Sequence, residues 1–322
     1  MKLGMLTVMM ADQPVEKVLD LMKGYKMEAA EFYSGAMFPN SHCNPDELLG
    51  DAGKLKKFVK MLSDRGMFIS ALSCHGNPLH PDPKIGPVHA EGIRKSILLA
   101  ERLGVDRICG FSGCPAGCEK DTMPNWVHEP WPDWFPEMLK WQWEKKLIPF
   151  WKDMAAFARD HKVKHICFEI HPGDMVYNPE ALLKLRSAVG EEICCNYDPS
   201  NIEWQGLDTL AVILALGGDV IKHVHAKDCK TYRKNADING TLDPKPYGDE
   251  LHRSWNFRTV GWGHGIDYWT QFMINLRMIG YDYVLSIEHE DSLMSAGEGL
   301  QKAVSYLNNI LLREKPGPMT WA

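Results

Sequence analysis

Short apolar runs alternate along the chain with longer stretches in which apolar residues recur every three or four positions. The short runs fall at 3–8, 29–33, 68–74, 107–111, 165–170, 193–197, 220–226 and 283–288. Their length and apolar content predict β-strands. Helix-period stretches cover 15–23, 54–65, 88–103, 137–161, 179–189, 207–216, 267–279 and 297–312. Gly24, Gly66, Gly104, Gly190, Gly217 and Gly280 supply the stops, because glycine takes the left-handed conformation that ends a helix. Strands alternating with helices in this way predict an α/β fold, a closed (β/α)8 TIM barrel, more economically than an open sheet. No repeat, low-complexity tract or linker interrupts the order, so residues 1–322 are read as one domain.

Two connections are longer than the rest, 112–136 after the fourth strand and 228–265 after the seventh. In a barrel, loops that follow strands form the face where active sites lie. The last four strands each finish on that face with ionisable side chains: FEIH (168–171), NYDPSN (196–201), HVHAKD (223–228) and SIEHED (286–291). Alternation puts Glu169 with His171, His223 with His225 and Lys227, and Glu288 with Glu290. Several carboxylates converging near the barrel axis would repel one another, and a divalent cation relieves that. The ligand set read from this pattern is Glu169, Asp198, His225 and Glu288. Three oxygen donors and one imidazole, with no thiolate, suit Mn²⁺ first, then Mg²⁺, Co²⁺ or Fe²⁺. The alternative is four separate strand-end polar groups, each satisfied on its own.

Composition narrows the classes. The 322-residue chain is 45% hydrophobic and 24% charged with a net charge of −6. That supports a large core and offers no basic stripe for nucleic acid. No apolar run is long enough to span a membrane, and the N-terminus reads as a first strand, not a secretion signal. Cys167, Cys194 and Cys195 lie in apolar runs and read as reduced core thiols, which points to a cytoplasmic protein. Cys114 and Cys118 (CPAGC) raise a zinc question, but no second pair follows with finger-like spacing. Neither a dinucleotide nor a Walker glycine loop is present, and no GxSxG elbow.

A metal held by these residues would acidify a C–H beside the oxygen it binds. His171 is the first candidate for the base, because it shares a face with Glu169 and imidazole titrates near neutrality. The alternative is a histidine that only orients a carboxylate. Lys227 is read as an anchor for a substrate oxygen, or else as a surface salt bridge. Glu31 and His75 end the second and third strands, and Glu31 is read as a substrate contact. His75 and His80 are read as hydroxyl binders, or as caps of their loop.

On the strand-five Glu, the Asp after strand six, HAKD (225–228) and SIEHED (286–291), the chain resembles the sugar isomerase/epimerase superfamily of xylose isomerase-like barrels over nearly its whole length. The resemblance implies one divalent metal at these positions and a keto-sugar substrate. It also makes Glu288 a second candidate base and places Arg258 and His264, in RTVGWGHG (258–265), within reach of substrate. One departure stands out: family epimerases commonly carry a histidine where this chain has Asn201, which weakens a simple two-carboxylate epimerase reading and leaves Asn201 as a substrate contact.

Within the superfamily, SGCP (112–115), NPLHPDP (77–83) and RTVGWGHG are most similar to the catalytic α subunit of C-glycoside deglycosidases. That implies a lyase acting on a 3-oxo-C-glucoside: His171 removes the proton at C2 and the enolate expels the aglycone carbon from C1. It implies as partners a sugar or glycoside, a small β subunit and further copies of the chain, with no nucleic acid and no membrane.

Six of the 11 tryptophans lie between 125 and 151. They read as an aromatic plug under the long loop, or as a platform on which Trp126 and Trp131 stack a sugar or aglycone. The readings to separate are therefore a lyase, a sugar or cyclitol isomerase or epimerase, and a non-catalytic barrel scaffold.

Overall fold

A computed structural model describes residues 1–320. Eight strands close into a parallel barrel: β1 (Lys2–Leu6), β2 (Ala29–Tyr33), β3 (Phe68–Ser73), β4 (Arg107–Gly110), β5 (His165–Glu169), β6 (Ile193–Tyr197), β7 (Ile221–Ala226) and, after an excursion, β10 (Val284–Ile287). The predicted (β/α)8 architecture is therefore present. The excursion carries β8 (Asp228–Thr231) and β9 (Trp255–Arg258), which pair antiparallel as a hairpin outside the barrel.

Helices pack one stripe against the strands. In Ile148–Asp160 the buried positions are Trp151, Met154, Ala155 and Ala158, spaced as one helical face. The Trp151 ring lies 4.5 Å from Phe168, and its Nε1 donates to Ser112 O at 2.9 Å, pinning the start of the fourth loop. On the opposite side Phe32 of β2 meets Phe58 of helix Ala52–Ser63 at 5.1 Å. Burying a side chain of that size contributes roughly 1.5–3 kcal/mol.

Three segments depart from the predicted pattern. The helix expected over 137–161 is broken into Phe135–Trp141, a π-type segment Gln142–Leu147, and Ile148–Asp160. Pro149 has no N–H to give the carbonyl one turn back, which disfavours regular α geometry there. The buried Gln142 uses its amide to hold the loop instead, donating to Ala116 O at 3.0 Å and Asn125 O at 2.7 Å. The first strand is shorter than expected, and Thr7–Met10 winds into a 3-10 turn. The 228–265 loop folds into the β8–β9 hairpin with a helix at Arg233–Asn239.

The lumen is layered. Ala71, Cys109, Cys167 and Cys194 form a small, fully buried cluster, with Cys109 in register with Cys167 and Cys167 with Cys194. Two residues further along their strands come Ser73, Glu169 and Asn196, so polar groups lie above small ones. All nine cysteines are free thiols and only Cys118 is exposed. Among the described residues no helix is long and apolar enough to cross a membrane.

Candidate active site

Each acidic strand end is set by local geometry. Asp198 follows β6 and caps the short helix Pro199–Glu203: its Oδ1 accepts from Ser200 N at 2.8 Å and Ser200 Oγ at 2.7 Å. Asp-Pro-Ser suits this role because aspartate caps well and proline fits the first helical position. With Oδ1 engaged, Oδ2 faces Lys227 Nζ at 3.0 Å and Asn201 Nδ2 at 3.1 Å. Glu169 ends β5. Its Oε1 accepts from Asn201 Nδ2 at 2.6 Å, and its Oε2 meets His75 Nε2 and His225 Nδ1, each at 3.2 Å. Glu288 lies just past β10, with Oε2 at 3.0 Å from His225 Nδ1 and 2.9 Å from Lys227 Nζ.

The structure thus brings Glu169, Asp198, His225 and Glu288 together, with one donor atom from each lying within 4.8 Å of the others. Their charges are strongly perturbed. Burial pushes the Asp198 carboxyl up to about 6, against the pull of Lys227. Burial also acts on Glu288, but Lys227 and His225 outweigh it and hold that carboxyl at about 2. Glu169 likewise falls well below the usual range, because His225 and His75 overcome its burial. Glu31 and Glu288 raise His225, and Asp198 and Glu288 raise Lys227, in spite of their burial.

This donor set fits a divalent cation. Three carboxylates and an imidazole are hard or borderline ligands. Asn201 Oδ1 is buried without a partner among the described residues, so a further oxygen remains beside them. His225 turns Nδ1 to the carboxylates while Nε2 lies 3.2 Å from both oxygens of Glu31, the arrangement by which a carboxylate orients a metal-binding histidine.

Above the donors opens a cavity of about 370 Å³. Glu169, His171, Lys227 and Glu288 give it a polar side; Leu6, Val8, Met9, Phe38, Phe111 and Phe257 give it an apolar wall. His171 Nδ1 pairs with Pro172 O at 2.7 Å, and the Phe111 ring lies 5.0 Å away. As an N–H donor to that carbonyl, Nδ1 leaves Nε2 as the basic nitrogen. Burial lowers the pKa of His171, with Glu169 opposing, so the ring is neutral near pH 7.

Of the residues expected against substrate, His75, Asn201 and Lys227 line this cavity. The others do not. Glu31 is fully buried and bonded to His225, Ser73 and Ser286. His80 caps its own loop, its Nδ1 accepting from Asp82 N at 3.0 Å. Arg258 is buried in the hairpin between Glu250 and Asp291. His264 stacks on Tyr268 at 4.0 Å and bonds Asp228 at 2.8 Å. Asp228 also accepts from Gly261 N, Gly263 N and Trp269 Nε1, so this carboxylate organises the glycine-rich turn. Trp126 packs against Tyr177 at 5.4 Å, and Trp131 is 71% exposed on the loop surface. The buried Trp143 and Trp151 carry the plug.

Sequence reasoning missed the apolar wall and the layer beneath the donors. The wall comes from the end of β1 and the 3-10 turn after it, the loops after β2 and β4, and the hairpin, none of which has a chemical signature. The layer was partly visible, since alternation in HVH puts His223 beside His225; His223 Nδ1 meets Asn196 Oδ1 at 2.9 Å, and Asn196 Nδ2 reaches Glu169 at 3.3 Å.

Residues 25–310 match the model of one family, the xylose isomerase-like TIM barrel. The chain belongs to that family. A relative within reach of sequence is the uncharacterized protein YfiH of Bacillus subtilis (strain 168), 36% identical over 313 residues that cover 97% of this chain and 99% of its own. Among solved structures, an IolI protein with a bound zinc atom superposes with a TM-score of 0.65 at 16% identity, covering 97% of this chain and 98% of its own. A D-tagatose 3-epimerase-like protein does so with 0.64 at 18%, covering 96% and 98%. At such identities the likeness is one of fold.

Proposed function

We propose that this chain is a divalent-metal-dependent isomerase or epimerase of a keto-sugar or cyclitol. One observation carries the reading: four metal-type donors from the ends of four neighbouring strands meet beneath a cavity that is lined by His171. The solved neighbours support it, one being described as D-tagatose 3-epimerase-like and another as binding zinc. Glu169, Asp198, His225 and Glu288 would hold the ion. Bound there, a divalent ion supplies Lewis-acid polarisation of a substrate oxygen and so acidifies the neighbouring C–H. His171 takes that proton at Nε2, with its ring held by the Pro172 carbonyl. Lys227, buried among Asp198, Glu288 and Glu290, presents an ammonium to substrate oxygens. His75, bonded to Glu169, fixes that carboxylate and adds a second donor.

A second reading, a lyase that cleaves the C-glycosidic bond of a 3-oxo-C-glucoside, draws support from the apolar wall of Leu6, Val8, Met9, Phe38 and Phe257. A free sugar offers little to such a wall, whereas an apolar aglycone does. Here too His171 removes the proton, at C2; the electron pair forms the C1–C2 double bond and the bond to the aglycone breaks, the aglycone carbon regaining a proton.

The test begins with metal content of the purified protein and of Glu169→Gln and Asp198→Asn. The wild type should carry or take up about one Mn²⁺ per chain and the variants should not. Unchanged metal in both variants removes this ligand set. The loaded enzyme is then incubated in D₂O with free ketohexoses and with 3-oxo-C-glucosides. Deuterium incorporation without release supports the isomerase reading; a released aglycone supports the lyase. Neither event with any substrate, from a fully loaded protein, leaves the scaffold reading standing.

A further inference from the structure

Glu31 lies outside the cavity, with its carboxylate among imidazoles and hydroxyls. It is fully buried on β2, at a register shift against β3 between Ala30 and Glu31. β2 and β7 are not neighbours in the barrel, so the contact between Glu31 and His225 crosses the lumen. Glu31 Oε1 and Oε2 each lie 3.2 Å from His225 Nε2. Ser73 donates to one oxygen and Ser286 to the other, the latter at 2.5 Å. His223 Nε2 stands 3.7 Å away. The hydroxyls hold the carboxylate as an anion; Asn196 Nδ2 also lies 3.2 Å from Nε2 but has Glu169 at 3.3 Å to donate to, so the anion is the group that Nε2 answers with a proton. A neutral His225 then carries its lone pair on Nδ1, the nitrogen that faces Glu169 at 3.2 Å and Glu288 at 3.0 Å. A lone pair so close to two carboxylates is unfavourable unless a proton or a cation stands between them.

Resting on the metal-dependent reading above, we propose that Glu31 is a positioning residue. It fixes the Nε2–H tautomer of His225 and so aims Nδ1 at the metal, without touching metal or substrate itself. Loss of such a partner typically weakens metal binding by about 10–100-fold. Glu31→Gln keeps the shape and removes the charge, and Ser286→Ala removes one of the hydroxyls that hold the carboxylate.

The experiment titrates metal-stripped wild type, Glu31→Gln, Ser286→Ala and His225→Ala with Mn²⁺ in a calorimeter, with thermal melts to establish folding. The tautomer of His225 is read in the wild type by NMR of ¹⁵N-histidine protein loaded with diamagnetic Zn²⁺. Glu31→Gln should melt cooperatively yet bind Mn²⁺ about 10–100-fold more weakly. Ser286→Ala should fall between it and wild type, and His225→Ala should lose binding. The spectrum should show a protonated Nε2 and an unprotonated Nδ1. Wild-type affinity in Glu31→Gln overturns the role of Glu31 and leaves the ligand set intact, whereas a proton on Nδ1 of the loaded protein removes His225 from the ligand set and the role of Glu31 with it. A wild type that takes up no divalent ion overturns both. If Glu31→Gln does not fold, Ser286→Ala decides, and wild-type Mn²⁺ affinity in that variant overturns the proposal.

Discussion

Lys227→Met removes a buried ammonium that faces the carboxylates directly. Lys227 is 2% exposed, with Nζ at 3.0 Å from Asp198, 2.9 Å from Glu288 and 2.8 Å from Glu290. Methionine keeps most of the stem and deletes the charge, which lies 4.5 Å from the centre of the Phe257 ring. Breaking a buried ion pair by removing one partner costs roughly 3–5 kcal/mol, because the other charge is left unpaired. The Glu290 arm is half-exposed and adds little. Unfolding entropy runs at about 2.1 cal/mol/K per residue, hence about 0.7 kcal/mol/K for this chain, so the expected loss is about 4–7 °C in melting temperature. That figure applies to metal-free protein in EDTA. With saturating Mn²⁺ the divalent charge balances Asp198 and Glu288, and the gap between variant and wild type should shrink to less than half. Differential scanning calorimetry in both buffers measures this. An equal loss with and without metal would mean that Lys227 acts through packing alone. A metal-free loss under about 1 °C would refute the charge balance from which the site is argued.

Two further outcomes test residue roles. His171→Ala should keep its metal and lose turnover by roughly 10²–10⁴-fold. Because burial lowers the pKa of His171 and a base works deprotonated, kcat/KM of the wild type should rise with pH below the ordinary histidine value of about 6.5 and be flat through neutrality. An acid limb that survives His171→Ala would move the base to Glu288. Arg258→Met should cost roughly 3–5 kcal/mol of stability, since the guanidinium is buried against Glu250 and Asp291. Metal uptake and KM should stay near wild type, and a tenfold rise in KM would return Arg258 to the substrate.

The barrel was legible because strands and helices differ in period and length, and glycines mark the boundaries. The last four acidic strand ends were legible because barrel geometry sends successive strand ends to one rim. Depth was not legible. Glu31 and Glu169 each stand at or near the end of a strand, in AAEFY and FEIH. One is fully buried beneath His225 and the other borders the cavity. The difference lies in how strands stagger around the closed barrel, and in contacts such as Glu31 to His225 that join residues far apart in sequence. The glycine-rich stretch 258–265 misled for a related reason. Its glycines suggest close approach to a ligand, but a side chain at Gly263 would meet Cys229 O at 2.1 Å and Asp228 Oδ1 at 2.5 Å. The close approach is to the protein's own backbone and to a buried carboxylate, which a linear pattern cannot separate from approach to a sugar. A charged residue at a strand end therefore tells that some charge must answer it, while the answering group depends on depth: Glu31 meets an imidazole and two hydroxyls, Asp228 a ring of N–H donors, and Glu169, Asp198 and Glu288 meet one another around His225.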